Sequence, residues 1–182
     1  MAKHMVCLTF DFDVMSGHIA RGMTTPTPIS RGEFGIVGAS RILPLLQAQK
    51  IPTTWFIPGF TIETYPEACI EVVEGGHEIA HHGWTHVQPA LLDRVQEESE
   101  MIRANDAIAR LCGRRAQGYR SPAWDLSPHT LELLIQHDFY YESSMMGHDY
   151  SPYRVRQGDV IELQKPMQFG DKTPLIEMPI SW

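Results

Sequence analysis

The sequence predicts an α/β fold, with a mainly parallel sheet covered by helices and either closed as a barrel or laid open as a doubly wound sheet. Three observations carry this reading. Short apolar, β-rich runs alternate along the chain with longer segments of helical period. The clearest helical segment, residues 89–112, sets Leu91, Leu92, Val95, Met101, Ile102, Ile108 and Leu111 near a 3.6 period, with Gly113 just beyond. The residues with chemistry in them follow the apolar runs, where parallel sheets gather their sites at the C-terminal strand ends.

Residues 5–10 form the first strand candidate, which ends on Asp11 and Asp13. Residues 36–49 carry Ile42, Leu43, Leu45 and Leu46 and read as a helix, with Pro44 in its first turn or at a kink. Thr53, Thr54, Trp55, Phe56 and Ile57 make a β-rich run closed by Pro58 and Gly59. A helix is expected over residues 61–73, stopped by Gly75 and Gly76, and then a short strand at 77–80. After the long helix come a strand at 115–119, a helix over 127–137 and strands at 139–142 and 175–180, with a further candidate at 160–163.

The chain is 182 residues long and is expected to form one domain, residues 1–182. Its 43% hydrophobic and 20% charged content is ordinary for a globular protein. A formal charge of −7 with no basic run argues against nucleic acid as a partner. No apolar stretch is long enough to span a bilayer. Residues 1–4 lead straight into the first strand without a signal-peptide pattern, so a cytoplasmic location is expected. Cys7, Cys69 and Cys112 are odd in number and lack C-x-x-C spacing, which suggests neither a disulfide framework nor a cysteine zinc site.

Asp11 and Asp13, two apart at a strand end, point the same way, and such a pair is costly without a compensating cation. His82 and His86 stand at i and i+4, which puts two imidazoles on one face. That spacing alone is weak, because His77 and His81 share it. His77 begins its strand and reads as a core residue, and His81 leans the same way. One carboxylate with two histidines forms an open metal site, leaving the second carboxylate to take a proton from water. Arg120, arriving from a neighbouring strand end, can pair with Asp11. The loop from Ser16 through His18 to Arg21 is placed to shape a small pocket.

These residues fall into three motifs that together resemble the NodB-homology polysaccharide deacetylases, carbohydrate esterase family four. Thr9-Phe10-Asp11-Phe12-Asp13 is similar to the first motif, Thr-Phe-Asp-Asp-Gly, with Phe12 inserted between the acids. The stretch Gly76-His77-Glu78-Ile79-Ala80-His81-His82-Gly83-Trp84-Thr85-His86 resembles the second, and Tyr119-Arg120-Ser121-Pro122-Ala123-Trp124 the third. The Asp-x-Asp variant, Tyr141-Glu142-Ser143-Ser144 and Ile176 to Trp182 resemble one branch in particular. That branch holds a Helicobacter-type peptidoglycan deacetylase, cyclic imide hydrolases and a metal-independent allantoinase. Unlike the allantoinases, this chain keeps both His82 and His86.

The resemblance implies a (β/α) barrel of the NodB type and a hydrolase of a C–N amide bond, removing N-acetyl groups from amino sugars. One divalent metal, zinc by expectation, would sit on Asp13, His82 and His86, with Asp11 as base and Arg120 orienting it. Ala123, Trp124, Trp84 and His18 are the expected substrate contacts. The family's C-terminal acid histidine has no counterpart here, and His137 and His148 lie in no matching motif. About six parallel strand candidates also fall short of a closed barrel. The sequence is therefore expected to be an incomplete barrel, whose closing strands and acid lie in further chain. The expected partner is an N-acetylated sugar or a small cyclic amide, with a homo-oligomer allowed. The alternatives are a cyclic imide or ureide hydrolase, a metal-binding relative without activity, and an Fe(II) oxygenase, against which the spare carboxylate speaks.

Overall fold

A computed structural model of the chain describes residues 4–181. Met1, Ala2, Lys3 and Trp182, which figured in the sequence reading, lie outside the described residues. Strand β1 (Thr9–Asp11) leads through α1 (Ser16–Ile19) and α2 (Pro26–Gln49) to β2 (Thr54–Ile57). Helices α3 (Gly59–Thr64) and α4 (Pro66–Glu74) precede β3 (Glu78–His81), and α5 (Arg94–Cys112) precedes β4 (Gly118–Tyr119). Then come α6 (Thr130–Gln136), β5 (Tyr141–Glu142), β6 (Tyr153–Gln157) and β7 (Asp171–Glu177).

The strands form one sheet in the order β1-β2-β3-β4-β5-β7-β6, parallel except for β6 against β7. Among the described residues the sheet is open, with β1 and β6 at its edges. The α/β class and the parallel sheet expected from the sequence are present, and the openness agrees with an incomplete barrel. No helix is long and apolar enough to cross a membrane, among the residues described.

Register brings the strand ends into one row. Asp11 pairs with Phe56, Ile57 with His81, His81 with Tyr119, Tyr119 with Glu142, and Glu142 with Glu177. Because side chains alternate along a strand, Trp55, Ile57, Ile79, Tyr119 and Leu175 join the buried core with Val72, Met101, Ile108 and Leu133. Phe56, Tyr141, His82 and Arg120 gather separately, as their ring and cation contacts show. Helix α5 is well specified locally. Asp93 accepts the Gln96 N–H at 2.9 Å, the Gln96 side chain accepts the Asp93 N–H at 3.0 Å, and Gly113 ends the helix in the left-handed region.

Several boundaries differ from the sequence reading. Strand β1 starts at Thr9, not at residue 5, and Met5 and Val6 are exposed. The helix expected at 36–49 begins ten residues earlier, at Pro26, where the proline serves as a first-turn residue. Pro44 lies inside it on an exposed position, where the helix forgoes one backbone hydrogen bond. The single helix expected over 61–73 is split at Tyr65 by Pro66, which starts α4. Residues 160–163 are no strand: Val160 makes one isolated bridge with Gln168, and the extra strand is β6.

Helix α2 is pressed onto the segment that follows Asp13. A Cβ at the buried Gly32 would stand 2.5 Å from Met15 Cα and 2.7 Å from the Val14 carbonyl oxygen. Backbone cannot yield cheaply there. Gly32→Ala should therefore lower the unfolding free energy by about 1–3 kcal/mol in denaturant melts. Gly38→Ala, in the same helix with open space around it, should instead raise it by about 0.5–1 kcal/mol. Equal effects at both positions would refute the packing argument.

Candidate metal centre

Asp13 follows β1, and its carbonyl is tied down twice, by the Ser16 and Thr61 hydroxyls at 2.8 Å each. His82 follows β3 and is buried, with Nδ1 2.7 Å from the Arg120 carbonyl oxygen. Since a carbonyl only accepts, Nδ1 carries the proton and Nε2 keeps its lone pair. That Nε2 lies 3.3 Å from Asp13 Oδ1, and His86 Nε2 lies 3.3 Å from Asp13 Oδ2. One ligand atom from each of the three residues lies within 4.8 Å of the others, and no other His, Cys, Asp or Glu joins them among the described residues.

The residues fit a cation. Asp13 Oδ1 is buried without a hydrogen bond, although a histidine nitrogen stands close to it. A neutral Nε2 and a carboxylate oxygen are both acceptors, and two acceptors facing each other need a positive charge between them. A carboxylate and two imidazoles are a set that divalent zinc accepts, with positions left open for water and substrate. The Arg120 carbonyl on His82 is the outer partner that holds such a ligand in one tautomer.

The protonation behaviour follows from the same contacts. Burial alone would raise the Asp13 carboxyl. The hydrogen bond to His86 and the charges of His82, His86 and Arg21 hold it below the usual range instead. Burial lowers His82 despite Asp13 and Asp11, whereas at His86 the bond and charge of Asp13 outweigh burial and raise the imidazole. Asp11 stands apart from the three. Its Oδ1 accepts a 2.6 Å bond from Arg120 Nη1, and 28% of its side chain is exposed. Arg120 is held by Thr9 Oγ1 at 3.1 Å, Ser143 Oγ at 2.9 Å and the Ser143 carbonyl at 3.1 Å, with Phe56 4.0 Å beneath.

The other expected contacts are more varied. Ala123 and Trp124 stand in a turn with φ of 57° and 53°, in the left-handed region that non-glycine residues adopt only under strain. The bonds of that turn run from Trp124 N–H to the Ser121 carbonyl and from Asp125 N–H to the Pro122 carbonyl, so Ala123 N–H is not used in them. His18 lies on α1 with Nδ1 buried and unpartnered, beside Gly17, which abuts His86. Trp84 differs from these in its burial. It is buried, packed against Gly59 and lying under Arg103 at 3.6 Å, so its ring serves the core.

His81 and His77 stand outside the cluster. His81 joins the Met101 carbonyl and the Gly83 N–H, and burial lowers it to about 4. His77 Nδ1 bonds Thr53. His137 pairs with Glu98 and His148 with Asp149, and neither joins the cluster. The sequence reading missed Thr9 and Phe56 as supports of Arg120, although alternation sets Thr9 on the same side of β1 as Asp11. It gave Arg21 only a place in a pocket-shaping loop, whereas its charge reaches Asp13 and His86.

Known proteins resemble this chain over most of its length. A family model described as polysaccharide deacetylase matches residues 1–141. The peptidoglycan deacetylase of Helicobacter pylori is 37% identical over the whole of this chain and 67% of its own length. A crystal structure titled as a putative polysaccharide deacetylase from Mycobacterium smegmatis superposes with a TM-score of 0.78 at 32% identity, covering 97% of this chain. This chain spans 58% of that protein. Puue allantoinase, at 21% identity and a TM-score of 0.76, shares the fold.

A divalent ion on this cluster would have to displace the proton that Asp13 stabilises on His86. Divalent-ion affinity, measured by calorimetry, should fall about tenfold per pH unit once His86 protonates. Because its pKa is raised, that fall should set in above the ordinary value of about 6.5. An affinity flat across this range would exclude His86 as a ligand.

Proposed function

The chain belongs to the polysaccharide deacetylase family, and on that premise we propose that it hydrolyses the amide of an N-acetylated amino sugar. The observation that carries the reading is the division of the two aspartates. Asp13 faces two histidine nitrogens, while Asp11 faces a guanidinium and water. Asp13, His82 and His86 would hold one divalent ion, with zinc the ion that suits the donor set. When bound, such an ion lowers the pKa of its water to about 7 and polarises a carbonyl.

The chain's own groups do the rest. Arg120 fixes Asp11 through Oδ1, which leaves Oδ2 to take the proton as water adds to the acetyl carbonyl. The Ala123 N–H is a rigid donor for the oxygen that gains charge in that step. Among the described residues, Asp11 is a group that can pass this proton on to the leaving nitrogen. Its transfer, with cleavage of the C–N bond, releases acetate and the free amine. His18 and Trp124 are proposed as sugar contacts beside this centre.

Asp11→Asn should keep the metal and lose ~10²–10⁴ of the hydrolytic rate. The assay follows acetate release from N-acetylglucosamine oligomers, with a cyclic imide as the competing substrate and metal content measured alongside. Full activity of Asp11→Asn with intact metal would overturn the division of labour. Turnover of the imide alone would replace the substrate class.

A further inference from the structure

Behind the Arg120 strand end, two glutamates meet out of reach of water. Glu142 ends β5, Glu177 ends β7, the ladder pairs them directly, and neither has exposed surface. Two buried carboxyl groups in contact cannot both be ionised without a large electrostatic cost, so the site needs a proton or a cation. A cation lacks ligands here, because no third acidic, histidine or cysteine side chain joins the pair among the described residues.

The donors show where the proton sits. Glu142 Oε2 accepts the Ser144 N–H at 2.9 Å, and Oε1 accepts the Ser144 hydroxyl. Glu177 Oε1 accepts the Met145 N–H at 3.1 Å, whereas Glu177 Oε2 is buried with no donor at all. A proton on this oxygen would give the neighbouring Glu142 carboxyl group a donor. Burial, together with the hydrogen bond and charge of Glu142, pushes the Glu177 carboxyl far above the usual range, against the opposing pull of Met145 N–H and Arg120. The other titratable groups facing the pair are the phenols of Tyr119 on β4 and Tyr153 on β6, both pushed up mainly by burial. Neither can neutralise a carboxylate.

The pair is wired to the Arg120 turn. The Ser144 hydroxyl, spent as a donor on Glu142, accepts the Ser121 N–H at 2.8 Å. Ser121 separates Arg120 from Pro122 and Ala123. Next to it, Ser143 Oγ accepts from Arg120 and donates to the Met178 carbonyl at 2.8 Å. We propose that Glu142 and Glu177 are positioning residues sharing one proton, given by Glu177 to Glu142, which orient Ser144 and so hold the Arg120–Ala123 turn against Asp11. The effect on turnover rests on the hydrolytic reading above, whereas the proton and the posture of Arg120 are properties of the fold.

The tests use the full chain. At neutral pH its infrared spectrum should show a protonated carboxyl stretch that Glu177→Gln removes. In the fold Glu177 keeps a proton that the unfolded chain releases above about pH 4.3. Stability should therefore fall as pH rises from there toward the folded pKa, and Glu177→Gln should flatten that slope. Glu142→Gln and Ser144→Ala should each cost ~10–100-fold in kcat with KM unchanged. Glu177→Leu should lose as much, and Glu177→Gln, which keeps a donor, should recover most of it. Independently of turnover, the slowly exchanging Arg120 Nε–H signal in nitrogen-15 NMR should lose protection in Glu142→Gln. If that variant does not fold, Ser144→Ala takes its place. A missing carboxyl band with parallel pH melts would overturn the shared proton. An unchanged Arg120 signal in both variants would overturn the positioning role, even in a chain without hydrolase activity.

Discussion

The guanidinium of Arg120 is nearly sealed from solvent, with 4% of its side chain exposed, and a buried charge persists only where each donor finds a partner. Its partners come from two other strands, Thr9 and Asp11 as the first and last residues of β1 and Ser143 just past β5. Phe56 of β2 supplies the face beneath it. Losing this cation would leave a carboxylate and several acceptors facing one another at the mouth of the sheet. The alignment of strand ends is thus an electrostatic requirement as much as a packing result.

The same residue links Asp11 to the cluster of Asp13, His82 and His86. Through its side chain Arg120 holds Asp11, and through its carbonyl it fixes the tautomer of His82. A movement of this strand end would therefore disturb both Asp11 and His82. Asp13 is braced from elsewhere, by α2 against Val14 and Met15 and by hydroxyls from α1 and α3. The ligand set is assembled from two separately supported halves.

Much of this was legible in the sequence because it depends on local period and on polar residues after apolar runs. The parallel order, α5 with its Gly113 stop, and the grouping of Asp13, His82 and His86 follow from such signals. The start of α2 was hidden, because residues 26–35 mix proline, serine and glycine with few apolar positions and so look like a loop. Strand β6 reads Tyr153-Arg154-Val155-Arg156-Gln157 and buries only Val155, which gives periodicity little to work on. Trp84 looked like a binding aromatic because it lies between ligands, yet only the neighbouring Gly59 and α5 decide which way its ring turns. The Glu142–Glu177 pair was invisible for a deeper reason. Each acid alone resembles a surface charge, and only the ladder brings them together.

The left-handed turn at Ala123 and Trp124 bears on how this part of the chain tolerates change. Two successive non-glycine residues hold a conformation that glycine would enter without resistance. A glycine at 123 would ease the native backbone while enlarging the freedom of the unfolded ensemble, so the two contributions oppose each other in stability. The aim of the N–H is not protected by that balance. A glycine hinge admits neighbouring wells, and a donor that wanders among them loses the preorganisation on which charge stabilisation depends. Under the proposed hydrolysis, sequence drift at this position would leave the melting behaviour intact while eroding the rate, a separation that thermal screening would not detect.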